Sequence, residues 1–264
     1  MVEIVIGDGA GRRPVRARLR PLTGADELML DGEDPGAATA LLKRLLIGGD
    51  GRLDAAGVDA LTVSEHDRLL AALFDTLYGD RVEARSACRG CGQGMEINFS
   101  LASLAAAPPE TEVAVAGPQP DGSFRLGDGL RFRPPMIGEL AAAAAMGEAE
   151  GLAALRRACV LEGDPEADPA LLDSALETAA PALTRDVVAT CPDCGAPQPV
   201  RFDLARFLVA MLLRERAFLL RETHLLAATY AWPLAEILGL SRADRRALAR
   251  LCAAEGGTAQ RRAA

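Results

Sequence analysis

The sequence predicts an α+β protein that is mainly helical, with two repeated strand-helix-CxxC-strand modules followed by a C-terminal helical extension. The first observation is composition: half of the 264 residues are hydrophobic and only 4% are aromatic, and the abundance of alanine favours helices over an aromatic-rich β-sandwich. The second is a pair of Cys-x-x-Cys motifs, at 88–91 and 191–194, each followed by the alternating apolar pattern of a strand. The third is a long helical pattern after residue 204.

The two cysteine motifs lie in segments that match beyond the cysteines themselves. A glycine, Gly92 or Gly195, directly follows the second cysteine, as suits a turn that needs a positive φ angle. Apolar residues then alternate at identical offsets in the two segments: Ile97, Phe99 and Leu101 in the first, and Val200, Phe202 and Leu204 in the second. The matched spacing predicts, in each copy, a CxxC-Gly turn, here called a knuckle, followed by a strand with one apolar face.

A second match lies upstream of the cysteines. Arg18-Leu-Arg-Pro21 is echoed by Arg131-Phe-Arg-Pro134, and a Glu-Leu pair follows each motif, at Glu27 and Glu139. We therefore interpret the chain as a duplication, with one copy over about 15–101 and the other over about 127–204. The division that follows is a first module over 1–104, a linker over 105–128 with short strands such as 112–116, a second module over 129–204, and the C-terminal helical extension over 205–264.

Helix signals place the main helices of the two modules. Thr62-Val-Ser-Glu65 is a capping box that opens an amphipathic helix ending near Gly79, directly before the first knuckle. In the second module, helical patterns cover 138–159 and 169–176, separated by Asp-Pro breaks. Each module therefore has helices between its first strand and its knuckle.

The extension is expected to hold three helices. A long apolar pattern begins after residue 204 and ends near Tyr230. A short helix over 234–238 follows a Trp-Pro turn, and Ser241 is positioned to cap a final helix.

The two cysteine pairs indicate a metal site. Each pair supplies two thiolates, which is half of a tetrahedral zinc site, and the only histidines, His66 and His224, belong to helical segments away from both pairs. The economical prediction is one structural Zn²⁺ per chain, held by the four cysteines of the two motifs: Cys88, Cys91, Cys191 and Cys194. The two remaining cysteines, Cys159 and Cys252, are expected to be small buried hydrophobic residues.

Other interpretations of the cysteine pairs remain open: separate metal sites, an ancestral site that no longer binds metal, and a dithiol redox centre. A thioredoxin-like centre has its CxxC motif at a helix N-terminus, where the helix dipole lowers the thiol pKa. Both motifs here precede strands instead. Intracellular thiols stay reduced, which favours a metal over a disulfide.

Charge and hydropathy argue against several function classes. The net charge of −8 and the isoelectric point near 5.0 disfavour binding to nucleic acid, which needs a basic footprint. The N-terminus lacks a signal-peptide pattern, and no apolar run reaches the roughly 18 residues of a membrane helix. We therefore expect a cytoplasmic protein without a membrane-spanning segment.

The sequence offers no enzyme motif. It contains neither HExxH nor GxSxG, and the glycine-rich stretch 7–11 lacks the lysine of a phosphate-binding loop. A zinc ion bound by four cysteines has no open position for water. Carboxylates such as Glu27, Asp67 and Asp75 lie in amphipathic helical patterns, where a solvated face is the simplest interpretation. We therefore expect a non-enzymatic protein without a small-molecule substrate.

Several motifs, taken in order, resemble proteins of contractile phage tails. The segment 224–238 contains Tyr230-x-Trp232 followed by Glu-Ile-Leu, and Arg245-Arg246 comes soon after. This pattern is similar to the tails of small proteins from contractile-phage tail and baseplate clusters. The front of the chain, with an Arg-x-Arg-Pro strand, a helix ending in Leu77-Tyr-Gly79 and the first CxxC, is similar to the T-even-like phage baseplate hub subunit family. The second module and the extension go beyond the single-module core of that family.

The resemblance implies a structural component or assembly factor of a baseplate hub, in a phage or in a phage-derived contractile injection system. Its partners would be other baseplate and tail proteins, such as hub, spike, tube or wedge subunits. It would act in the bacterial cytoplasm or as part of the finished particle. The alternative functions are a zinc-ribbon adaptor or regulator that binds nucleic acid and a CxxC dithiol oxidoreductase.

One surface of the extension is a candidate for binding these partners. Tryptophan and tyrosine anchor protein interfaces out of proportion to their number, and the only tryptophan of the chain precedes a short apolar helix. The expected partner-binding residues are Tyr230, Trp232, Glu236, Ile237 and Leu238. Local packing of the two rings at the end of a helix is the alternative interpretation.

Overall fold

The structure, a computed structural model, describes residues 1–6, 14–34, 36–107, 113–127 and 129–262, with side chains to residue 254. It is 49% helical and 22% strand, which confirms the predicted mixture of helix and strand. The glycine-rich stretch 7–11 and the linker residues 108–112 and 128 lie outside the described residues.

The first part of the chain begins with an antiparallel strand pair, continues through helices and ends with a β-hairpin and a short helix. Its elements are β1 (Val2–Ile6), β2 (Val15–Leu19), α1 (Gly24–Leu28), α2 (Ala37–Leu45), a 3₁₀ helix (Ala56–Ala60), α3 (Val63–Tyr78), β3 (Arg81–Ala87), β4 (Gly94–Ser100) and α4 (Leu101–Ala106). The predicted capping box is present, since the Thr62 hydroxyl accepts from the Glu65 amide and the Glu65 carboxylate accepts from the Thr62 amide. The helix that it opens ends at Gly79, whose φ is +82°.

The second part of the chain has a three-stranded sheet, three helices and another β-hairpin. Its elements are β5 (Phe124–Leu126), β6 (Leu130–Phe132), α5 (Ile137–Ala144), α6 (Glu148–Cys159), β7 (Val160–Glu162), α7 (Pro169–Ala179), β8 (Arg185–Thr190) and β9 (Pro197–Phe202). The single helix predicted over 138–159 is wrong, because the chain breaks into α5 and α6. Strand β5, within the predicted linker, pairs with β6, whereas residues 113–115 form no strand and Ala116 makes one isolated bridge to Arg125.

The third part is helical, with four helices in place of the predicted three. They are α8 (Leu204–Arg214), α9 (Arg216–Tyr230), α10 (Leu234–Gly239) and α11 (Arg242–Arg262). The long predicted helix is two helices that meet at Glu215. The chain then turns at Ala231, which has a φ of +55°, before the short α10. The Ser241 hydroxyl accepts from the Asp244 amide, as its predicted capping role requires.

The first two parts have closely corresponding hydrogen bonds. In each part a strand pair is followed by two helices, after which the chain returns antiparallel to the second strand. The Arg20 amide donates to the Leu45 carbonyl at 2.9 Å, and the Arg133 amide donates to the Cys159 carbonyl at 2.9 Å. A further helix and a β-hairpin with a CxxC turn come next in both.

Each part also has an arginine bound to the cap of its first helix. The Arg20 guanidinium donates to both carboxylate oxygens of Asp26, at 2.6 and 2.7 Å, and Arg133 donates to both oxygens of Glu139 in the same way. The residue that binds Arg20 in the way that Glu139 binds Arg133 is Asp26, one residue before the Glu27 that the sequence match pairs with Glu139. Burial by itself raises the pKa of Asp26, but the hydrogen bonds from Arg20 and Thr23 outweigh this and lower that pKa to about 2.

The main hydrophobic core lies between the first strand pair and helices α2, α3 and α8. Its fully buried members include Leu42, Leu69, Leu70 and Leu208. Burying a leucine side chain of this kind stabilises the fold by about 1.5–3 kcal/mol. Helix α8, the first helix of the predicted extension, thus packs in the same core as the helices of the first part.

Smaller cores support the remaining elements. Phe132 and Cys159 are completely buried in the core of the second part, where burial raises the pKa of Cys159 to about 12. Cys252 packs with Leu226 and Ile237 in the C-terminal core. Both cysteines outside the CxxC motifs are thus buried among apolar groups, as predicted.

A buried ionic cluster joins α11 to α1. The Glu27 carboxylate, whose side chain is 3% exposed, accepts from Arg242 at 2.7 Å and from Arg245 at 2.6 Å. The whole cluster has three arginines and three glutamates: Arg242, Arg245, Arg246, Glu27, Glu215 and Glu222. The expectation that Glu27 and Asp67 occupy solvated faces is wrong. Both are buried, and Asp67 accepts from the Leu183 amide at 2.6 Å.

Candidate metal centre

Each CxxC motif forms the turn of a β-hairpin. The first turn connects β3 to β4 and the second connects β8 to β9. The Gly92 amide donates to the Cys88 carbonyl and the Gly195 amide donates to the Cys191 carbonyl, both at 2.9 Å. Gly92 and Gly195 have φ angles of +75° and +71°, which glycine adopts without the steric cost that a side chain would add. The two turns therefore present their cysteines in the same local geometry.

The four cysteine sulfurs meet at one point between the hairpins. All four Sγ atoms lie within 4.8 Å of one another. Cys88 Sγ is 3.6 Å from Cys194 Sγ, and Cys91 Sγ is 3.8 Å from Cys191 Sγ. A tetrahedral zinc site with Zn–S bonds of about 2.3 Å places its sulfurs about 3.8 Å apart. The separations far exceed the roughly 2.05 Å of a disulfide bond, and all four cysteines are free thiols.

The thiols differ in burial and in proton affinity. Cys88 and Cys191 are buried, whereas Cys91 and Cys194 are exposed. Hydrogen bonds from backbone amides, above all that of Cys91, lower the pKa of Cys88 to about 7. The Gln93 amide by itself lowers the pKa of Cys91, but partial desolvation of its sulfur and the three neighbouring thiols outweigh it and raise that pKa to about 12. Four sulfurs this close favour one thiolate at the expense of the others, so that a bound cation is needed to hold all four deprotonated.

A small apolar cluster and one buried amide hold the two hairpins together. Met95 and Ile97 are buried beneath the cysteines, and the rings of Phe99 and Phe202 meet edge to face with centroids 4.9 Å apart. The Gln198 Oε1 atom accepts from the Arg89 amide at 2.9 Å, which links β9 directly to the first knuckle. These contacts help to hold the two knuckles side by side, with their sulfurs facing one another.

Gln198 is the supporting residue that sequence reasoning missed. It is 6% exposed and lies on the same face of β9 as Val200 and Phe202. The alternating pattern of this strand contains the signal, because Gln198 is a polar residue at a position where the period of two predicts an inward side chain. A buried polar side chain needs a hydrogen-bond partner, and here the partner belongs to the other knuckle.

The predicted partner-binding residues are only partly at the surface. Tyr230 and Trp232 stack with centroids 4.9 Å apart, and each is 37% exposed. Glu236 is exposed and Leu238 is half-buried. Ile237 is completely buried in the C-terminal core, so its side chain belongs to that core and not to an exposed surface.

The two histidines lie away from the cysteines, as predicted. His66 lies in α3, where its Nε2 atom is 3.0 Å from the Thr39 hydroxyl, and His224 lies in α9. Among the described residues, the four cysteines are the one group of histidine, cysteine or carboxylate side chains placed to hold a metal ion.

Comparison with known proteins does not assign this chain to a family. No family model, no curated protein and no solved structure matches it.

None of the helices in the described part of the chain is both long enough and apolar enough to cross a membrane.

Proposed function

We propose that the chain binds one structural Zn²⁺ through Cys88, Cys91, Cys191 and Cys194. The observation that carries this proposal is the meeting of four sulfurs at separations of 3.6 and 3.8 Å in two matching glycine-containing knuckles. Four thiolates satisfy the tetrahedral preference of zinc and leave no position for a reacting water. The metal would therefore have a structural role: it would hold the two hairpins together and contribute its binding energy to folding.

The metal content of freshly purified protein tests this proposal. We expect one zinc per chain, lost in both Cys88→Ser and Cys191→Ser, because removing a thiolate from either knuckle leaves an incomplete site. Cys252→Ala is the matched control, since this cysteine is buried in another core, and it should retain the zinc. Two zinc ions lost independently would indicate separate sites. Metal-free protein with rapidly oxidised thiols would contradict the proposal and favour redox chemistry.

We also propose that the two parts of the chain, the elements from β1 to β4 and those from β5 to β9, are copies of one module. The supporting features are the order of their elements, the matching return of the chain to the strand pair, the arginine bound to the first helix cap, and the CxxC hairpin. A shared zinc explains why each copy has kept a pair of cysteines, since each pair is only half of a site.

The function that we propose for this zinc-bound body is structural: a component or assembly factor of a contractile-tail or injection-system baseplate hub. Support comes from the order of the Arg-x-Arg-Pro, Tyr-Gly, CxxC and Tyr-x-Trp motifs and from the four-cysteine donor set, which would leave a bound zinc without a position for a reacting water. Partners would be other baseplate and tail proteins, in the bacterial cytoplasm or in the particle. The stacked rings of Tyr230 and Trp232 offer an exposed aromatic surface for such contacts.

Trp232→Ala tests the partner role. We expect the variant to fold and to bind zinc as the parent does, but to lose co-purification with the hub, spike or tube proteins of the proposed baseplate, because it removes a large interface anchor. Val188→Ala is the control, as Val188 is 68% exposed on the strand β8, and it should assemble normally. A Trp232→Ala protein that assembles like the parent, or whose defect is entirely one of folding, would refute this role.

A further inference from the structure

Helices α9 and α11 form an open groove with an apolar floor. The groove has a volume of about 450 Å³, and its apolar lining includes Phe218, Leu225, Ala249 and Ala253. Phe218 is 57% exposed, so its ring is open to a ligand in the groove. The two helices pack directly against each other, so that the groove follows the seam between them. A seam of this kind accepts a third helix, whose apolar side chains enter between the first two.

The rim of this groove is basic, although the protein is acidic. Arg221, Arg246 and Arg250 line the groove together with one acidic residue, Glu222. Arg246 pairs with Glu222 and with Glu215. In contrast, among the described side chains no carboxylate pairs with Arg221 or Arg250, and Arg250 donates only to the Arg246 carbonyl. Two arginines are therefore available to a ligand beside the apolar floor.

The helical part of the chain that forms the groove has a net positive charge, whereas the rest of the chain is acidic. Residues 205–264 contain ten arginines and five acidic residues, whereas residues 1–204 contain 19 basic and 32 acidic residues. A basic end on an otherwise acidic protein attracts acidic ligands and repels basic ones. The exposed phenylalanine adds a requirement that the ligand also offer apolar surface.

We propose that the α9–α11 groove binds an acidic amphipathic helix of a partner protein. Apolar residues spaced three and four apart on that helix would cover Phe218 and Leu225, and its glutamates or aspartates would pair with Arg221 and Arg250. Duplex nucleic acid could satisfy the arginines but has no apolar face for Phe218. The site is distinct from the Tyr230–Trp232 surface, since Phe218 lies about three helical turns before Tyr230 on α9. The proposal does not depend on the baseplate assignment.

A pair of synthetic peptides tests this proposal with the full-length, zinc-loaded protein. The probe is a helix-forming peptide of roughly 18 residues, or five turns, with leucines at helical spacing on one face and glutamates on the other. The matched peptide has lysines in place of the glutamates. We expect the glutamate peptide to bind, with an affinity that falls as salt rises, and the lysine peptide to bind at least about tenfold more weakly.

Variants locate the binding. Phe218→Ser and the double variant Arg221→Glu/Arg250→Glu should each weaken binding of the glutamate peptide by about tenfold or more. Leu220→Ser is the control, because Leu220 is 53% exposed on α9 but does not line the groove. Circular dichroism and zinc content verify that each variant is folded.

Three results would overturn the proposal: no binding of the glutamate peptide, equal binding of the lysine peptide, or binding insensitive to the groove variants. Tighter binding of phosphatidylglycerol vesicles or duplex DNA, lost in the same variants, would overturn it in favour of those ligands. Trp232→Ala should bind the glutamate peptide normally, so failure of the groove proposal can be told apart from failure of the proposed assembly role.

Discussion

Glu27→Gln tests the buried ionic cluster that joins the C-terminal helix to the first part of the chain. The Glu27 carboxylate contacts Arg242 and Arg245, whose side chains are only 6% and 1% exposed. Glutamine keeps the shape of the side chain and removes its charge, which leaves the cluster with a surplus positive charge away from water. Removing one partner of a buried ion pair costs about 3–5 kcal/mol. Arg242 and Arg245 keep Glu215 and Glu222 as partners, so we expect a loss near the lower limit, about 3 kcal/mol.

Urea unfolding of zinc-loaded protein measures this loss, and amide hydrogen exchange locates it. We expect the free energy of unfolding to fall by about 3 kcal/mol, with the earliest increase in exchange in α11. Asp173→Asn is the matched control, because it breaks an ion pair with Arg156 at a more exposed site. The Asp173 side chain is 46% exposed. Its cost should stay below about 1 kcal/mol. A Glu27→Gln loss no larger than that of the control would refute the reasoning, since it would mean that the cluster contributes nothing beyond a surface ion pair.

Gly195→Ala should destabilise the zinc-loaded protein by about 1 kcal/mol and speed the loss of zinc to a chelator, because alanine is strained at positive φ. The control Gly94→Ala should have neither effect, since Gly94 faces open space and has no positive φ. The Asp26 pKa of about 2 lies below the roughly 3.9 of an unfolded aspartate, so its contribution is present above pH 4 and lost as the pH falls from about 4 to about 2. In Asp26→Asn, the free energy of unfolding should therefore fall less between pH 4 and pH 2 than it does in the parent. An acid unfolding transition identical to that of the parent would contradict the assignment of this pKa to Asp26. Gln198→Leu should cost about 1 kcal/mol in thermal or urea unfolding, since the Arg89 amide loses its acceptor; an unchanged stability would show that water replaces the amide.

Local signals in the sequence predicted local structure well. The capping box at Thr62 and the glycine at 79 predicted the ends of α3, and both are where the pattern placed them. The alternation after each CxxC motif predicted β4 and β9 with an apolar face, which Ile97 and Phe202 occupy. These predictions succeed because helix caps, glycine turns and strand alternation depend on residues a few positions apart.

The break between α5 and α6 shows where local patterns fail. An alanine-rich stretch favours one continuous helix over 138–159 by its intrinsic propensity. In the structure, the chain turns between Ala144 and Glu148 so that α6 folds back on α5, and Gly151 lies so close to the Ala143 carbonyl that a side chain at this position would clash. The break thus depends on packing between α5 and α6, which the intrinsic helix propensity of single residues does not include.

The sequence by itself determined the knuckles: the residue types, the positive-φ glycines and the strand that follows each cysteine pair. It also predicted that one metal would need both pairs, because two thiolates make only half of a tetrahedral site. Only the tertiary structure decided that the four sulfurs meet, that Gln198 links the two knuckles, and that Glu27 is buried against Arg242 and Arg245 instead of facing water. These contacts join residues about one hundred or more positions apart, and their formation depends on how whole helices and hairpins pack, which no local spacing encodes.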